Sequence, residues 1–166
     1  MKRLILVRHA KTEHYNYDRD FERKLTPRGE NDAKLIAEQL KNKDIIPDYF
    51  ICSPANRAFR TCSVFAEALG FPKERIDEQQ FLYDGYTTSD FLNFISMLDN
   101  HYNTAIVVAH NPDIALLATT LSDESFYHFP TTATAVIDFD TDMWERLEPR
   151  QGKVHLFLYP RIFKEK

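Results

Sequence analysis

Two histidines and two arginines are the side chains of this sequence best suited to chemistry on a phosphoryl group. Arg8 and His9 directly follow an apolar run, Arg57 lies shortly after a second run, and His110 directly follows a third. A guanidinium binds two phosphate oxygens at once, and a histidine with an ordinary pKa of about 6.5 serves either as a neutral nucleophile or as a cation. The four side chains together suit a site for a phosphate dianion.

The three apolar runs in front of these residues are typical of short buried strands. They are Leu4–Val7, Tyr49–Cys52 and Thr104–Ala109, and the last is continuous and β-branched, as in a central parallel strand. Ligands of open parallel sheets bind beyond the carboxyl ends of the strands. We therefore expect the two histidines and two arginines to converge at one edge of a sheet.

Segments with helical spacing separate the predicted strands. One helix should run from about Pro27 to Lys41, and a second should start at Ser53-Pro54 and end before Gly70. A third is predicted around Phe91–Leu98, capped by Thr88 or Ser89, and a fourth over Ile114–Leu121. Alternating strands and helices predict an α/β fold with a mostly parallel sheet.

The remaining segments are less regular. A short strand is predicted near Phe81–Tyr83, and Lys11–Lys24 is predicted to be a loop beside the site. Alternating residues in Ala133–Phe139 and the strand-like Val154–Tyr159 predict an edge hairpin or paired strands, with Thr141-Asp142 near the turn. We expect one domain over residues 1–166.

Charge and length exclude several classes of protein. A net charge of −4 argues against nucleic acid or an anionic membrane as a partner. The apolar run behind Lys2 and Arg3 is too short for a signal peptide, and no segment is long enough to span a bilayer, so we expect a cytoplasmic protein. Cys52 and Cys62 are interpreted as reduced core residues; a nucleophilic Cys62 is the alternative.

Several motifs resemble the histidine phosphatase superfamily. Arg8-His9-Ala10 resembles its first signature, with alanine in place of the usual glycine, and Ser53–Ala58 with Thr61 resembles its second motif. His110 matches the second histidine of the family. Asp20–Thr26 with Gly29 resembles the small branch typified by the bacterial phosphohistidine phosphatase SixA, although Lys24 stands where that branch often has proline. The likeness covers about residues 2–132.

The resemblance implies a phosphoglycerate mutase-like, three-layer α/β/α sandwich and assigns roles to the site residues. His9 would attack phosphorus and form a phosphohistidine intermediate, while Arg8, Arg57 and His110 would hold the equatorial oxygens. Arg23 would be a further phosphate ligand. The alternative for Arg23 is a surface arginine that pairs with Asp20 or Glu22.

The motifs do not identify the general acid. Asp84 and Glu13 are the candidates, and Asp84 could equally be a turn residue beside Gly85. Phosphohistidine needs a strong acid less than a phosphoester does, because imidazole leaves more readily than an alkoxide. No metal and no other cofactor are expected.

The expected partner is a phosphorylated protein with a phosphohistidine, or a small phosphorylated metabolite. Three functions therefore stay open at this point: a phosphohistidine phosphatase, a small-molecule phosphomonoesterase on the same fold, and a non-catalytic binder of phosphorylated partners.

Overall fold

The computed structural model describes residues 1–14 and 19–164. The strands within these residues are β1 (Lys2–Arg8), β2 (Tyr49–Cys52), β3 (Asp77–Glu78), β4 (Thr104–Ala109), β5 (Thr134–Phe139) and β6 (Lys153–Leu158). The helices are α1 (Pro27–Asn42), α2 (Asn56–Leu69), α3 (Phe81–Asp84), α4 (Thr88–Ile95), α5 (Asp113–Leu121) and α6 (Arg161–Lys164).

All these strands join one sheet in the order β3-β2-β4-β1-β5-β6. β1, β2, β3 and β4 pair in parallel, β5 runs antiparallel to both of its neighbours, and β6 therefore runs in the direction of β1. The register pairs Arg8 with Ala109 and Cys52 with Val108. The carboxyl ends of β1, β2 and β4 are consequently level at one edge of the sheet.

Helices cover both faces of the sheet. Alternate residues of β1 point to opposite sides: Ile5 and Val7 pack in the core with α1 and α2, whereas Leu4 and Leu6 pack in the core with α4 and α5. The sandwich architecture and the mostly parallel sheet are therefore as predicted.

The first helix begins and ends almost where the sequence indicates. The hydroxyl oxygen of Thr26 caps it by accepting a hydrogen bond from the amide of Gly29 at 3.0 Å. A Cβ at position 29 would collide with the carbonyl oxygen of Lys11, so glycine lets α1 pack against the segment that follows β1.

Two predicted starts of helices are wrong by one or more residues. The second helix begins at Asn56 rather than at Ser53-Pro54, and its N-cap Ala55 offers no side-chain hydrogen bond. The hydroxyl of Ser53 lies against His110 and accepts a hydrogen bond from the amide of Ala55, which precedes the helix. The start of α4 is capped by Thr87 through a capping box with Asp90, not by Thr88 or Ser89.

The strand predicted near Phe81–Tyr83 is also wrong. These residues form the single-turn helix α3, in which Leu82 is buried and Gly85 ends the turn with φ of 112°. Three apolar residues in a row carry no period that separates a strand from one helical turn. The helical turn matters because it carries Tyr83 toward the candidate site.

The carboxyl-terminal strands pair antiparallel as expected, and Thr141-Asp142 lie in the connection between them. A 3-10 turn at Trp144–Arg146 lies in the connection, and the side chain of Trp144 is buried. Cys52 and Cys62 are unpaired and lie in the apolar core, and burial raises the pKa of the Cys62 thiol, which favours the packing role. None of the described helices is long and apolar enough to cross a membrane.

Candidate active site

The four side chains singled out in the sequence meet in one cavity of about 240 Å³ at the carboxyl edge of β1, β2 and β4. We call this cavity the central pocket. Arg8 ends β1, His9 follows it, Arg57 lies in the first turn of α2, and His110 follows β4. The residues that line the central pocket are Arg8, His9, Lys11, Thr12, His14, Arg23, Arg57, His110, Asn111 and Thr131.

His9 is held as a neutral base by its surroundings. Its Nδ1 lies 2.9 Å from the carbonyl oxygen of Ala10, so Nδ1 carries the proton and Nε2 keeps a free lone pair. Burial, followed by the nearby charges of His110, Arg57 and Arg8, lowers the pKa of His9 to about 3.

The backbone around His9 is fixed by α2. The amide of Ala10 donates to the hydroxyl of Thr61 at 3.0 Å, and that hydroxyl donates to the carbonyl oxygen of Arg57 at 2.8 Å. Thr61 therefore ties the end of β1 to the helix that supplies Arg57.

His110 packs beside His9, with 5.2 Å between the ring centroids. Its Nε2 lies 2.8 Å from the hydroxyl oxygen of Ser53, which itself accepts a hydrogen bond from the amide of Ala55. When the Ser53 hydroxyl donates to Nε2, the proton of His110 lies on Nδ1. Burial and the charge of Arg57 lower the pKa of His110 to about 4.

Arg57 is 6% exposed and is oriented by Asp20. Its Nη1 donates to the carbonyl oxygen of Asp20 at 2.8 Å, and its Nη2 donates to the Asp20 carboxylate at 2.9 Å. Tyr83 also donates to this carboxylate, at 2.9 Å. Partial burial opposes ionisation of Asp20, but the hydrogen bonds from Arg57 and Tyr83 outweigh it and lower the pKa of Asp20.

Three buried nitrogens of the central pocket have no hydrogen-bond partner among the described residues: Arg8 Nε, Arg57 Nε and His110 Nδ1. Buried polar groups in proteins are nearly always paired, so an unpartnered cluster requires an explanation. With the proton of His110 on Nδ1, all three groups are N–H donors. An oxyanion in the central pocket would supply acceptors for such donors.

Comparison with known proteins identifies the family. The sequence profile of the histidine phosphatase superfamily (branch 1) matches residues 4–83, which include Arg8, His9 and Arg57. The chain belongs to the histidine phosphatase superfamily. A relative from Hydrogenobacter thermophilus, named as a candidate phosphoserine phosphatase 2, is 35% identical over 134 residues, which cover 76% of this chain. The chain spans 62% of the length of that relative.

A second relative and a solved structure extend the comparison. An uncharacterised chloroplastic protein of Arabidopsis thaliana is 30% identical over 155 residues, covering 87% of this chain and 69% of that protein. The structure of the protein histidine phosphatase SixA complexed with tungstate superposes with a TM-score of 0.83 at 22% identity. The match covers 98% of this chain and 99% of that one, so the two share the fold of this phosphatase family.

Arg23 pairs with an acidic neighbour and also lines the central pocket, so its role as a phosphate ligand stays a prediction. It lines the central pocket, and its Nε also donates to the Asp20 carboxylate at 3.1 Å. Its Nη1 lies 3.2 Å from the hydroxyl of Thr12. Asp20 thus joins both Arg23 and Arg57, which places the two guanidinium groups side by side.

Neither candidate general acid is among the described residues that line the central pocket. Asp84 is exposed at the end of α3, beside Gly85, and its carboxylate accepts a hydrogen bond from Gln80. Glu13 is exposed in the segment after β1. A proton-donating role for either residue remains a prediction. The described residues contain no group of three or more His, Cys, Asp or Glu side chains arranged to hold a metal ion.

Sequence reasoning missed the residues that support the four central side chains. Ser53 directly follows β2, just as His9 and His110 follow their strands, and this position was the available signal. Asp20 was considered only as a partner of Arg23, and nothing local in the sequence indicates its contact with Arg57, 37 residues away.

The lowered pKa values of His9 and His110 predict how the stability of the protein depends on pH. The ordinary pKa of about 6.5 applies in the unfolded chain, so between pH 6.5 and 4 that chain binds protons that the folded protein does not. Stability must then fall as the pH falls. From pH 7.5 to 5.5, each histidine should lower the free energy of unfolding by about 1.3 kcal/mol.

Urea denaturation at the two pH values, with phosphate excluded from the buffer, measures this loss. His110→Asn should lose about 1.3 kcal/mol less than the wild type between the two pH values. His155→Asn serves as the control because that ring is 51% exposed and lies on β6. An identical loss in His110→Asn and wild type would contradict the assignment of His110 as a neutral buried ring.

Proposed function

We propose that this protein is a phosphatase that hydrolyses phosphohistidine in a protein substrate through a covalent intermediate on His9. The observation that carries the proposal is the set of side-chain groups that meet in the central pocket. A neutral imidazole with a free Nε2 shares the pocket with the unpartnered N–H groups of Arg8, Arg57 and His110. This combination supplies a nucleophile for phosphorus and donors for the oxygens around it.

The reaction proceeds in two displacements at phosphorus. Nε2 of His9 attacks the phosphoryl group of a phosphohistidine whose other ring nitrogen is protonated, the bond from phosphorus to the substrate imidazole breaks, and that imidazole leaves as the neutral ring. Water then attacks phosphorus, the bond to His9 breaks, and inorganic phosphate is released. The hydrogen bond from Nδ1 to the Ala10 carbonyl keeps the ring in one tautomer throughout.

The electrostatics of the central pocket suit a dianion. The charges of Arg8 and Arg57 help to hold both histidines neutral in the free protein. A bound phosphoryl dianion compensates those charges and favours protonation of His110, which then adds a third cation beside the equatorial oxygens. In the complex, His9 is therefore the neutral nucleophile and His110 is the protonated histidine that stabilises the phosphoryl oxygens.

The choice of phosphohistidine rests on two supports. The fold matches that of the protein histidine phosphatase SixA over nearly the whole length of both chains. Asp20, whose carboxylate binds Arg23 and Arg57, is held ionised by Arg57 and Tyr83 and is therefore a poor proton donor. An imidazole leaving group depends less on a strong acid than an alkoxide does.

A small-molecule phosphomonoesterase is the second candidate function. It is favoured by the relative of Hydrogenobacter thermophilus, which is named for phosphoserine. Measuring kcat/KM on a phosphohistidine-containing phosphorelay domain, on phosphoserine and on a panel of sugar phosphates separates the candidates. We expect the phosphohistidine protein to be preferred by at least about tenfold, the effect of one strong transition-state interaction.

Dominant turnover of phosphoserine or sugar phosphates would contradict the phosphohistidine assignment and support the second candidate. Binding of phosphate without turnover of any substrate would instead support a non-catalytic binder. A binder has no evident use for His9 with a free Nε2, which is why we place it last.

A further inference from the structure

A second cavity of about 180 Å³ adjoins the central pocket on the side of β5 and β6. We call it the side pocket. Thr131 lines both cavities. Thr134 of β5 pairs with Val7 on one side and with Leu158 on the other, so the chain leaving β6 emerges at the same edge of the sheet as Arg8. Tyr159 and Arg161, which follow β6, line the side pocket.

The side pocket is cationic. Arg28 from the first turn of α1 and Arg161 from α6 line it, together with His128. Its lining includes one carboxylate, Asp32, which is 2% exposed. The Asp32 carboxylate lies 2.5 Å from Lys164 Nζ and 3.6 Å from Arg28 Nε, so two cations already compensate its charge.

Arg161 is the cation that remains available. It is exposed and forms no ion pair with any other described residue. Its fork of N–H donors matches a carboxylate in two parallel hydrogen bonds. Tyr159, in edge-to-face contact with His128 with 5.8 Å between ring centroids, gives the cavity an aromatic wall. The volume is suited to one small side chain or a short polar group.

We propose that the side pocket binds a carboxylate of the phosphorylated substrate while the phosphoryl group occupies the central pocket. The inference rests on the proposed reaction at His9 and identifies which other part of the substrate is recognised. The carboxylate belongs either to an acidic residue beside phosphohistidine in a peptide or to a small phosphorylated amino acid. In both cases Arg161 acts as a specificity residue and takes no part in the displacement.

Two substrates that differ only in the carboxylate test the proposal. Phosphohistidine and phosphohistamine carry the same phosphoramidate, and only phosphohistidine has a carboxylate. We expect the wild type to prefer phosphohistidine by about tenfold in kcat/KM, as for one charge-assisted interaction. In Arg161→Ala the preference should fall to about twofold or less, mainly through a lower kcat/KM on phosphohistidine.

Arg146→Ala is the matched control. Arg146 lies in the connection between β5 and β6, at the opposite edge of the sheet, and should keep the wild-type preference. Equal turnover of the two substrates by the wild type, or an unchanged preference in Arg161→Ala, would overturn the inference. Phosphohistidine peptides with Glu or Gln beside the phosphorylated residue show whether the carboxylate can come from a peptide.

Phosphoserine and phosphoethanolamine form a second pair that separates failure of the side pocket from failure of the proposed function. A preference for phosphoserine that depends on Arg161, without turnover of either phosphoramidate, would contradict the phosphohistidine substrate and support the side pocket. If none of the four compounds is hydrolysed, calorimetric affinities for the same pairs decide. Equal affinities within each pair would overturn the inference.

Discussion

Replacing His9 by alanine is expected to reduce turnover of a phosphohistidine substrate by about 10⁴-fold or more, the range seen when a nucleophile is removed. His110 packs beside His9, but its Nε2 is engaged by the hydroxyl of Ser53. The arginines of the central pocket can bind the phosphoryl group but cannot form a bond to phosphorus.

Rapid quenching with substrate labelled at phosphorus tests the same prediction by detecting the covalent intermediate. The wild type should carry an acid-labile, base-stable label, as phosphohistidine does, and His9→Ala should carry none. His155→Ala is the control, since this residue lies on β6 outside the central pocket. A label that survives in His9→Ala would show that another residue is the nucleophile.

The positions of the main site residues could be predicted because each follows a strand that the sequence shows clearly. Tyr49–Cys52 and Thr104–Ala109 have the same bounds in the structure as in the sequence pattern. A parallel sheet then brings the residues after these strands together by geometry alone. The proximity of His9 and His110 could be predicted without knowledge of side-chain packing, because the level register of β1 and β4 makes them neighbours.

The supporting contacts could not be predicted, because they depend on how loops and helices pack. Ser53-Pro54 has the local pattern of a helix start, and only the position of β4 shows that the hydroxyl of Ser53 meets His110. The contact of Asp20 with Arg57 depends on the path of the chain between β1 and α1. The predicted functional loop Lys11–Lys24 includes residues 15–18, which lie outside the described part of the chain.

The side pocket could be predicted from the sequence even less than the supporting contacts of the central pocket. Arg28 and Arg161 are separated by most of the chain, and neither belongs to a motif that indicates a site. They approach each other because α1 begins, and β6 ends, at the edge of the sheet that carries His9. Such a cavity follows from the topology of the whole sheet and has no local signature in the sequence.

Arg57→Ala should lower kcat by about 10²–10³-fold, the usual effect of removing a preorganised donor to transition-state charge. The expectation follows from the different contacts of the three guanidinium nitrogens. Both Nη atoms hold Asp20, while the buried Nε has no partner among the described residues and is free for a phosphoryl oxygen. Weaker competitive inhibition by inorganic phosphate should accompany the loss of rate.

Arg60→Ala is a matched control on the same helix. Its guanidinium binds Glu30 with distances of 2.8–3.1 Å and lies outside the central pocket, so kcat should stay near the wild-type value. The fold should survive Arg57→Ala, because the Asp20 carboxylate is half exposed and keeps Arg23 and Tyr83 as partners. A loss of kcat that is equal in both variants, or that follows a fall in Tm, would mean that Arg57 supports α2 rather than the reaction. A large loss in Arg57→Ala alone, at unchanged Tm, would place its charge beside the phosphoryl group.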